Sequence, residues 1–468
     1  ESLFLELADH ADILNFTTMY GVGRDGKAFR ELPEHYDANT PGDLTPLLDL
    51  IIEEVENASK DEDKPFQMLI STLDHDSYVG RICIGKITRG VLKKGMKVAL
   101  VDETGTLGTY NATKLFTSYG LQRQEVEELR AGDIAALAGI PELTIGQTVT
   151  DPATPDWLPP IKVEEPTIKI KIGPNTSPFA GREGTFVTTR QIKDRLLKEL
   201  ETNLGLKFEL DPVSSSYIIS GRGELHLAVL IETMKREGFE LQVSKPQVIF
   251  KEVEGQKCEP YEELTIDVQK DYMGAVTDEI GKRKGKLINM HTVGDTNMRL
   301  IYKISSRNLI GVRSKLLTAT RGTAVMNTYL LGYEPVGTYM ENVRNGALIS
   351  TQSGETMAYG LGFAQERGSM FYGPQVKVYE GMVVGMANQD KDIEVNVCKA
   401  KQLSNNRSSG EGVKVILEPP TVLSLEQYLD IIGDDELLEV TPKSLRLRKQ
   451  YLTLTQRRVE SRRAASSK

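Results

Sequence analysis

The closest approach to a catalytic signature in the chain is Gly21-Val22-Gly23-Arg24-Asp25-Gly26-Lys27-Ala28. Its spacing is GxxxxGK, the loop whose backbone amides cradle phosphates and whose lysine reaches their oxygens. The hydroxyl that should follow the lysine and hold magnesium is replaced by Ala28. Such a lysine must also open a helix, so that the helix N-terminus faces phosphate. Pro33 and Pro41 follow too soon for a helix of useful length. The expectation is therefore a plain turn rich in Gly and Asp. Asp102-Glu103-Thr104-Gly105 has the DxxG spacing of nucleotide switches, but it lies between strand-like segments, where such turns are common. No NKxD occurs. The phosphate cradle, magnesium ligand and water-positioning residue that phosphoryl transfer needs are not in this sequence.

Other chemistries find no support either. There is no HExxH and no Ser-His-Asp arrangement, and the three cysteines, Cys83, Cys258 and Cys398, form no CxxC pair. That spacing argues against zinc and for a reducing compartment. His226 sits in an apolar helical run and is expected to pack. No catalytic residue and no metal ligand is assigned.

What the sequence does offer is cation donors in local clusters. The formal net charge is −9, yet the sign is uneven. Asp61–Asp63 and Asp434–Glu436 are acidic, whereas Lys443–Arg463 is basic and includes Arg446, Arg448 and Lys449. Lys282-Arg283-Lys284 ends a helical pattern, where cations suit either the helix dipole or an RNA backbone. Lys399-Ala400-Lys401-Gln402-Leu403-Ser404-Asn405-Asn406-Arg407-Ser408-Ser409-Gly410 reads as a polar loop whose amide and guanidinium donors suit phosphates and splayed bases. Basic patches on an acidic whole are compatible with RNA binding.

The elements that must position these groups follow from periodicity. At 468 residues the chain exceeds one hydrophobic core. Residues 44–55 are helical in spacing, and residues 57–65 read as a linker. Residues 66–150 alternate in short strands punctuated by Gly90 and Gly95, the pattern of a small β-barrel. Residues 165–252 read strand, helix, strand, strand, helix, strand, a ferredoxin-like unit, and residues 259–334 repeat that order. Residues 336–468 are mostly β, with a helix at 425–432, a strand pair around Thr441-Pro442 and a polar tail, 461–468, expected to be disordered. The fold class is multidomain α+β, divided as 1–63, 64–160, 161–254, 255–335 and 336–468.

Ser220-Gly221-Arg222-Gly223-Glu224-Leu225-His226-Leu227, with the helix after it and Lys245-Pro246-Gln247-Val248, closely resembles the third domain of elongation factor G. Gly80–Gly95 resembles the second-domain barrel of translational GTPases. Residues 259–332 resemble the fifth domain of elongation factor G and follow directly, with no long fourth domain between. Asn175-Thr176-Ser177-Pro178-Phe179-Ala180-Gly181-Arg182-Glu183-Gly184, Val378-Tyr379-Glu380-Gly381, the 403–410 loop and Asp434–Pro442 resemble the BipA/TypA family of translational GTPases. The resemblance implies a ribosome-binding factor in translation, ribosome assembly or stress adaptation, with GTP and Mg as cofactors of the intact protein and none in this chain. It implies ribosomal RNA and the transfer-RNA acceptor end as partners, the latter for the 399–410 loop. It makes residues 1–63 the end of a GTP-binding domain, with Val22, Gly23 and Arg24 where a guanine-contacting loop belongs. The chain lacks an initiator Met and the GTP-hydrolysing motifs, so it is expected to be a fragment inactive alone. A cytoplasmic monomer is expected, with no membrane contact, since no apolar run nears about 18 residues. A LepA-type factor and a non-GTPase RNA-binding scaffold are the alternatives.

Overall fold

A computed structural model of the chain describes residues 17–37, 39–55, 61–76, 78–120, 122–160, 165–203, 205–212, 214, 216–294, 296–338, 344–400 and 416–466. The chain divides into two compact units, 1–161 and 162–468.

The first unit opens on a hairpin, Tyr20–Val22 with Lys27–Phe29, and the helix Thr45–Glu54. Its body is an antiparallel nine-stranded sheet. The order runs 122–126, 114–119, 134–138, 80–89, 67–69, 148–150, 97–102 and 105–111, with 72–76 also on 80–89. This order has two ends, so hydrogen bonding among the described residues does not close a ring. Alternation in the strands turns Met68, Ile87, Val98, Leu100, Leu137 and Val149 into one core. Gly90 marks a close approach. Its φ is +78°, and a Cβ there would lie 2.6 Å from the backbone of Lys64 and Phe66.

In the second unit the segment from 168 to 244 runs strand Ile168–Pro174, helix Thr189–Thr202, strands Lys207–Leu210 and Tyr217–Gly221, helix Glu224–Arg236 and strand Leu241–Ser244. Thr188 caps the first helix by a capping box with Gln191. Lys235 and Arg236 at the end of the second helix match the helix dipole. The sheet does not stop at the boundary expected at 254. Leu241–Ser244 pairs with Glu436–Val440, which pairs with Leu445–Lys449. One core holds Ile170, Leu227, Ile231, Val243, Ile349, Phe371, Tyr428, Leu438 and Leu447. The segments expected to be separate domains, 161–254 and 336–468, thus share a sheet and a core. Each buried aliphatic side chain there is worth about 1.5–3 kcal/mol.

Residues 251–335 form a five-stranded antiparallel sheet around Gln256–Gln269, covered by the helices Met273–Lys282, Ser306–Leu309 and Val312–Ala319. Leu264, Ile266, Val276, Ile280, Leu300 and Leu316 fill the space between. A further four-stranded sheet, order 368–370, 383–387, 347–350, 393–395, completes the unit. The tail differs from expectation. Residues 454–466 form a helix rather than disordered chain, anchored by Arg457, which donates to Tyr451 O at 3.0 Å, to Leu452 O at 2.5 Å and to Glu394 at 2.5 Å.

Candidate nucleic-acid interface

The basic run at 282–284 resolves into three different roles. Lys282 ends its helix and is exposed, as is Lys284. Arg283 is buried. The helix phase explains this, because Val276, Ile280 and Arg283 fall on one stripe facing the core. The Arg283 guanidinium pairs with Glu279 at 2.8 Å and donates to the carbonyls of Asn308 at 2.9 Å and Ile310 at 2.6 Å. It ties this helix to the segment that opens the next and is not available to RNA. Gly285 N donates to Ile280 O and Lys284 N to Gly281 O, a paired closure of a helix C-terminus. That closure puts Lys284 at φ +63°, a position usually given to glycine.

Arg446, Arg448 and Lys449 are likewise corrected. All three are buried on Leu445–Lys449, the last strand in the order of its sheet. In the hairpin register Arg446 lies opposite Glu439, and Lys449 opposite Glu436. The Arg446 guanidinium contacts Glu439 at 2.9 Å and also pairs with Glu183. Arg448 donates to Thr176 Oγ1 at 2.8 Å and Gln242 Oε1 at 2.7 Å. Lys449 meets Asp392 at 2.6 Å, Asp435 at 2.9 Å and Glu436 at 3.0 Å. Burial opposes the charge on Arg446, but Glu439 and Glu183 outweigh it and hold the guanidinium above its ordinary range. At Lys449 burial likewise yields to Glu436, Asp435 and Asp392, and the ammonium is held above its usual range. At Arg448, whose partners are neutral, burial wins and lowers it. These cations hold the structure together.

The same network explains Asn175–Gly184. The buried Glu240 carboxylate accepts from Asn175 Nδ2 at 2.8 Å, Gly181 N at 2.8 Å and Gly184 N at 3.0 Å. Asn175 Nδ2 also reaches Glu439 at 2.9 Å, and the Tyr379 hydroxyl donates to Glu439 at 3.0 Å. Burial and then Glu439 push the Tyr379 phenol above its ordinary range. A side chain at Gly184 would strike Glu240, its Cβ only 2.5 Å from that of the carboxylate residue. The loop is a scaffold wrapped on a buried acid, and Arg182 projects from it into solvent.

Lys399 is exposed, its Nζ 5.9 Å from the centre of the Phe363 ring. Lys401, Asn405, Asn406 and Arg407 lie outside the described residues. Val22, Gly23 and Arg24 form the tip of the first hairpin, with Gly23 and Arg24 exposed. Lys27 sits on the returning strand and donates to Thr40 O at 2.6 Å, and Ala28 is buried. A strand-turn-strand carries no helix N-terminus, so these residues do not fit a nucleotide phosphate with its magnesium. Asp102 caps a similar turn, accepting from Thr104 N at 2.8 Å. His226 packs beside Asn203 at 2.9 Å and, by burial and then by Arg222, is held below its ordinary pKa. Among the described residues no group of three His, Cys, Asp or Glu side chains could hold a metal, and no helix is long and apolar enough to cross a membrane.

Sequence reasoning missed a set of cations brought together only by folding. Arg182, Lys377 and Lys443 line one cleft, although about 195 and 66 residues separate Arg182 from Lys377 and Lys377 from Lys443 along the chain. No run of like charge announces them.

Three stretches match known families: residues 80–150 match elongation factor Tu domain 2, 256–344 the elongation factor G C-terminus, and 345–454 the TypA/BipA C-terminal domain. The chain is similar over nearly all its length to proteins named large ribosomal subunit assembly factor BipA. It is 43% identical to that of Synechocystis over 96% of this chain and 74% of the relative. It is 44% identical to that of Salmonella typhimurium over 98% and 75%. It is 40% identical to that of Bacillus subtilis over 97% and 74%.

Proposed function

Because the chain belongs to the TypA/BipA family, we propose that it binds the ribosome and acts in assembly of the large ribosomal subunit. The observation that carries this is identity of 40–44% across 96–98% of the chain to factors so named. The match of 345–454 to the TypA/BipA C-terminal domain favours this over a LepA-type factor or an unrelated RNA-binding scaffold. Lys282, Lys284 and Lys399 are the exposed cations assigned to ribosomal RNA phosphates, and Lys401, Asn405, Asn406 and Arg407 are assigned to the transfer-RNA acceptor end. The sheet of the first unit is taken as the translation-factor barrel, and 168–244 and 251–335 as ferredoxin-like. GTP and magnesium belong to the intact factor in this reading, and no nucleotide step is assigned to the residues of this chain. The working form is a cytoplasmic monomer.

Co-sedimentation with purified large and small subunits across a salt series tests the proposal. Binding should favour the large subunit, and its logarithm should fall linearly with the logarithm of salt, because Lys and Arg release counterions from phosphate. Equal binding to both subunits, or insensitivity to salt, would overturn it.

A further inference from the structure

The cleft beside the Asn175–Gly184 loop gathers exposed cations from three separate segments of the second unit. Its volume is about 630 Å³, within the roughly 300–1,000 Å³ common for sites that take small groups. Arg182 enters it from the loop, Lys377 from the segment after Tyr372, and Lys443 from the turn between the last two sheet strands. All three are exposed. No carboxylate among the described residues lies within ion-pair distance of any of them. The acid on the cleft wall, Glu183, is committed to Arg446, Thr441 and Ser444. On a chain of net charge −9, three converging cations without an acid contrast with Arg446 and Lys449 nearby, which are saturated by carboxylates.

Much of the remaining lining is apolar or aromatic, including Phe179, Tyr372, Leu423 and Leu445, beside Lys235 and Arg446, which are paired with Glu232 and with Glu439 and Glu183. The Arg182 guanidinium lies over the Phe179 ring at 4.7 Å, which orients its plane. The loop carrying both is fixed by Glu240, so Arg182 and Phe179 start from a braced backbone before anything binds. Cations for a phosphate, beside planar and apolar surface for a base, is the chemistry that recognises an unstacked nucleotide.

We propose that this cleft takes one nucleotide of a single-stranded RNA segment, its phosphate held by Arg182, Lys377 and Lys443 and its base laid against Tyr372 and Leu445. The assignment deepens the ribosome-binding reading and rests on it. A free nucleotide shares the chemistry, so the test must separate the two.

The probe is an unstructured octauridylate carrying a fluorophore, titrated with the full chain by anisotropy, with uridine 5′-monophosphate as competitor. Arg182→Gln/Lys377→Gln/Lys443→Gln should weaken octauridylate binding at least tenfold with the melting temperature unchanged. It should also reduce the salt slope by at least about 0.7, the value for one phosphate of a single strand. The mononucleotide should compete only at far higher concentration. Photo-crosslinking should map to Tyr372 or its neighbours. Lys443→Glu alone, on an exposed turn, serves if the triple variant fails to fold, and it should lower binding in the same direction. Wild-type octauridylate affinity in a folded variant, or crosslinks confined to the 282–284 helix end, would overturn the cleft assignment. Equal affinity for the mononucleotide would overturn the RNA strand as its occupant. Subunit co-sedimentation of the same variant separates this from the broader reading: retained large-subunit binding with unchanged octauridylate binding removes the cleft alone.

Discussion

Arg446→Met takes away one guanidinium and strands two carboxylates. Glu439, fully buried, would keep only the Asn175 amide and the Tyr379 hydroxyl. Glu183, its side chain 20% exposed, would keep Thr441 and Ser444. Removing one partner of a buried ion pair costs about 3–5 kcal/mol, because the other charge stays buried without compensation. The remaining neutral donors and the partial exposure of Glu183 put the expected loss at the lower end, about 3 kcal/mol. The lone tryptophan, Trp157, belongs to the first unit, so its fluorescence follows the wrong transition. Urea unfolding should instead be followed by hydrogen exchange of the amides of 436–449, with tryptophan fluorescence as an internal control. At a slope of about 3 kcal/mol per molar urea the midpoint should fall by about 1 M, while the tryptophan transition stays put. Arg446→Met/Glu439→Gln should lose less than the single variant, since the fully buried charge goes as well. A loss below about 0.5 kcal/mol for Arg446→Met, the range of an ordinary surface substitution, would refute the structural role and return Arg446 to the RNA-facing set.

Glu224 sits at a helix start with Oε1 buried and without a hydrogen-bond partner, and burial, then the nearby Asp430, push it up to about 8. A folded value above the unfolded one means that its contribution is whole below the unfolded carboxylate range and is lost as pH rises through about 8. Glu224→Gln should therefore gain stability over the wild type between pH 5 and about 8 and level off above it, and a constant difference in thermal melts across pH 5 to 8 would contradict the burial argument. Lys282→Ala/Lys284→Ala should change stability by less than about 0.5 kcal/mol while weakening ribosome binding. Arg283→Ala should destabilise by several-fold more, and Lys284→Gly should stabilise by about 0.5–1 kcal/mol by relieving the left-handed position. Ribosome pelleting and urea midpoints on the four proteins rank them, and equal effects of Lys282 and Arg283 would be the wrong ranking. Lys401→Ala/Asn405→Ala/Arg407→Ala should leave the midpoint nearly unchanged and weaken ribosome binding at least tenfold, about 1.4 kcal/mol. A lowered midpoint with unchanged binding would make that loop structural.

Local pattern carried much of this structure. The helices at 189–202, 224–236 and 273–282 and the strands between them follow from periodicity and from caps such as Thr188, which act within a few residues. Charge was harder to read, because its meaning depends on pairing across strands and turns. Counting along the chain makes 434–436 an acidic patch and 443–463 a basic one. In the hairpin, Glu439 faces Arg446 and Glu436 faces Lys449, so Lys449 is neutralised by the acidic run and Arg446 by an acid outside it. The turn at Thr441-Pro442 was visible, and carrying its register outward would have exposed those pairs. The middle position of Lys282-Arg283-Lys284 was also open to deduction, since Arg283 continues the spacing of Val276 and Ile280. Arg182, Lys377 and Lys443 could not have been grouped this way. Their meeting depends on a sheet assembled from both ends of the second unit.

That sheet sets the order in which the chain can finish folding as it is made. Leu241 pairs with Val440, roughly 200 residues later, and synthesis at about 5–20 residues per second leaves a gap of about 10–40 s. Until then Leu241–Ser244 is an unpaired strand edge, the kind of backbone template that invites another chain. Val243 and Ile231 meanwhile wait for the part of their core supplied by Leu438 and Leu447. A nascent chain paused before residue 436 would expose that edge together with apolar surface, which marks this interval as the one in which a chaperone has most to protect.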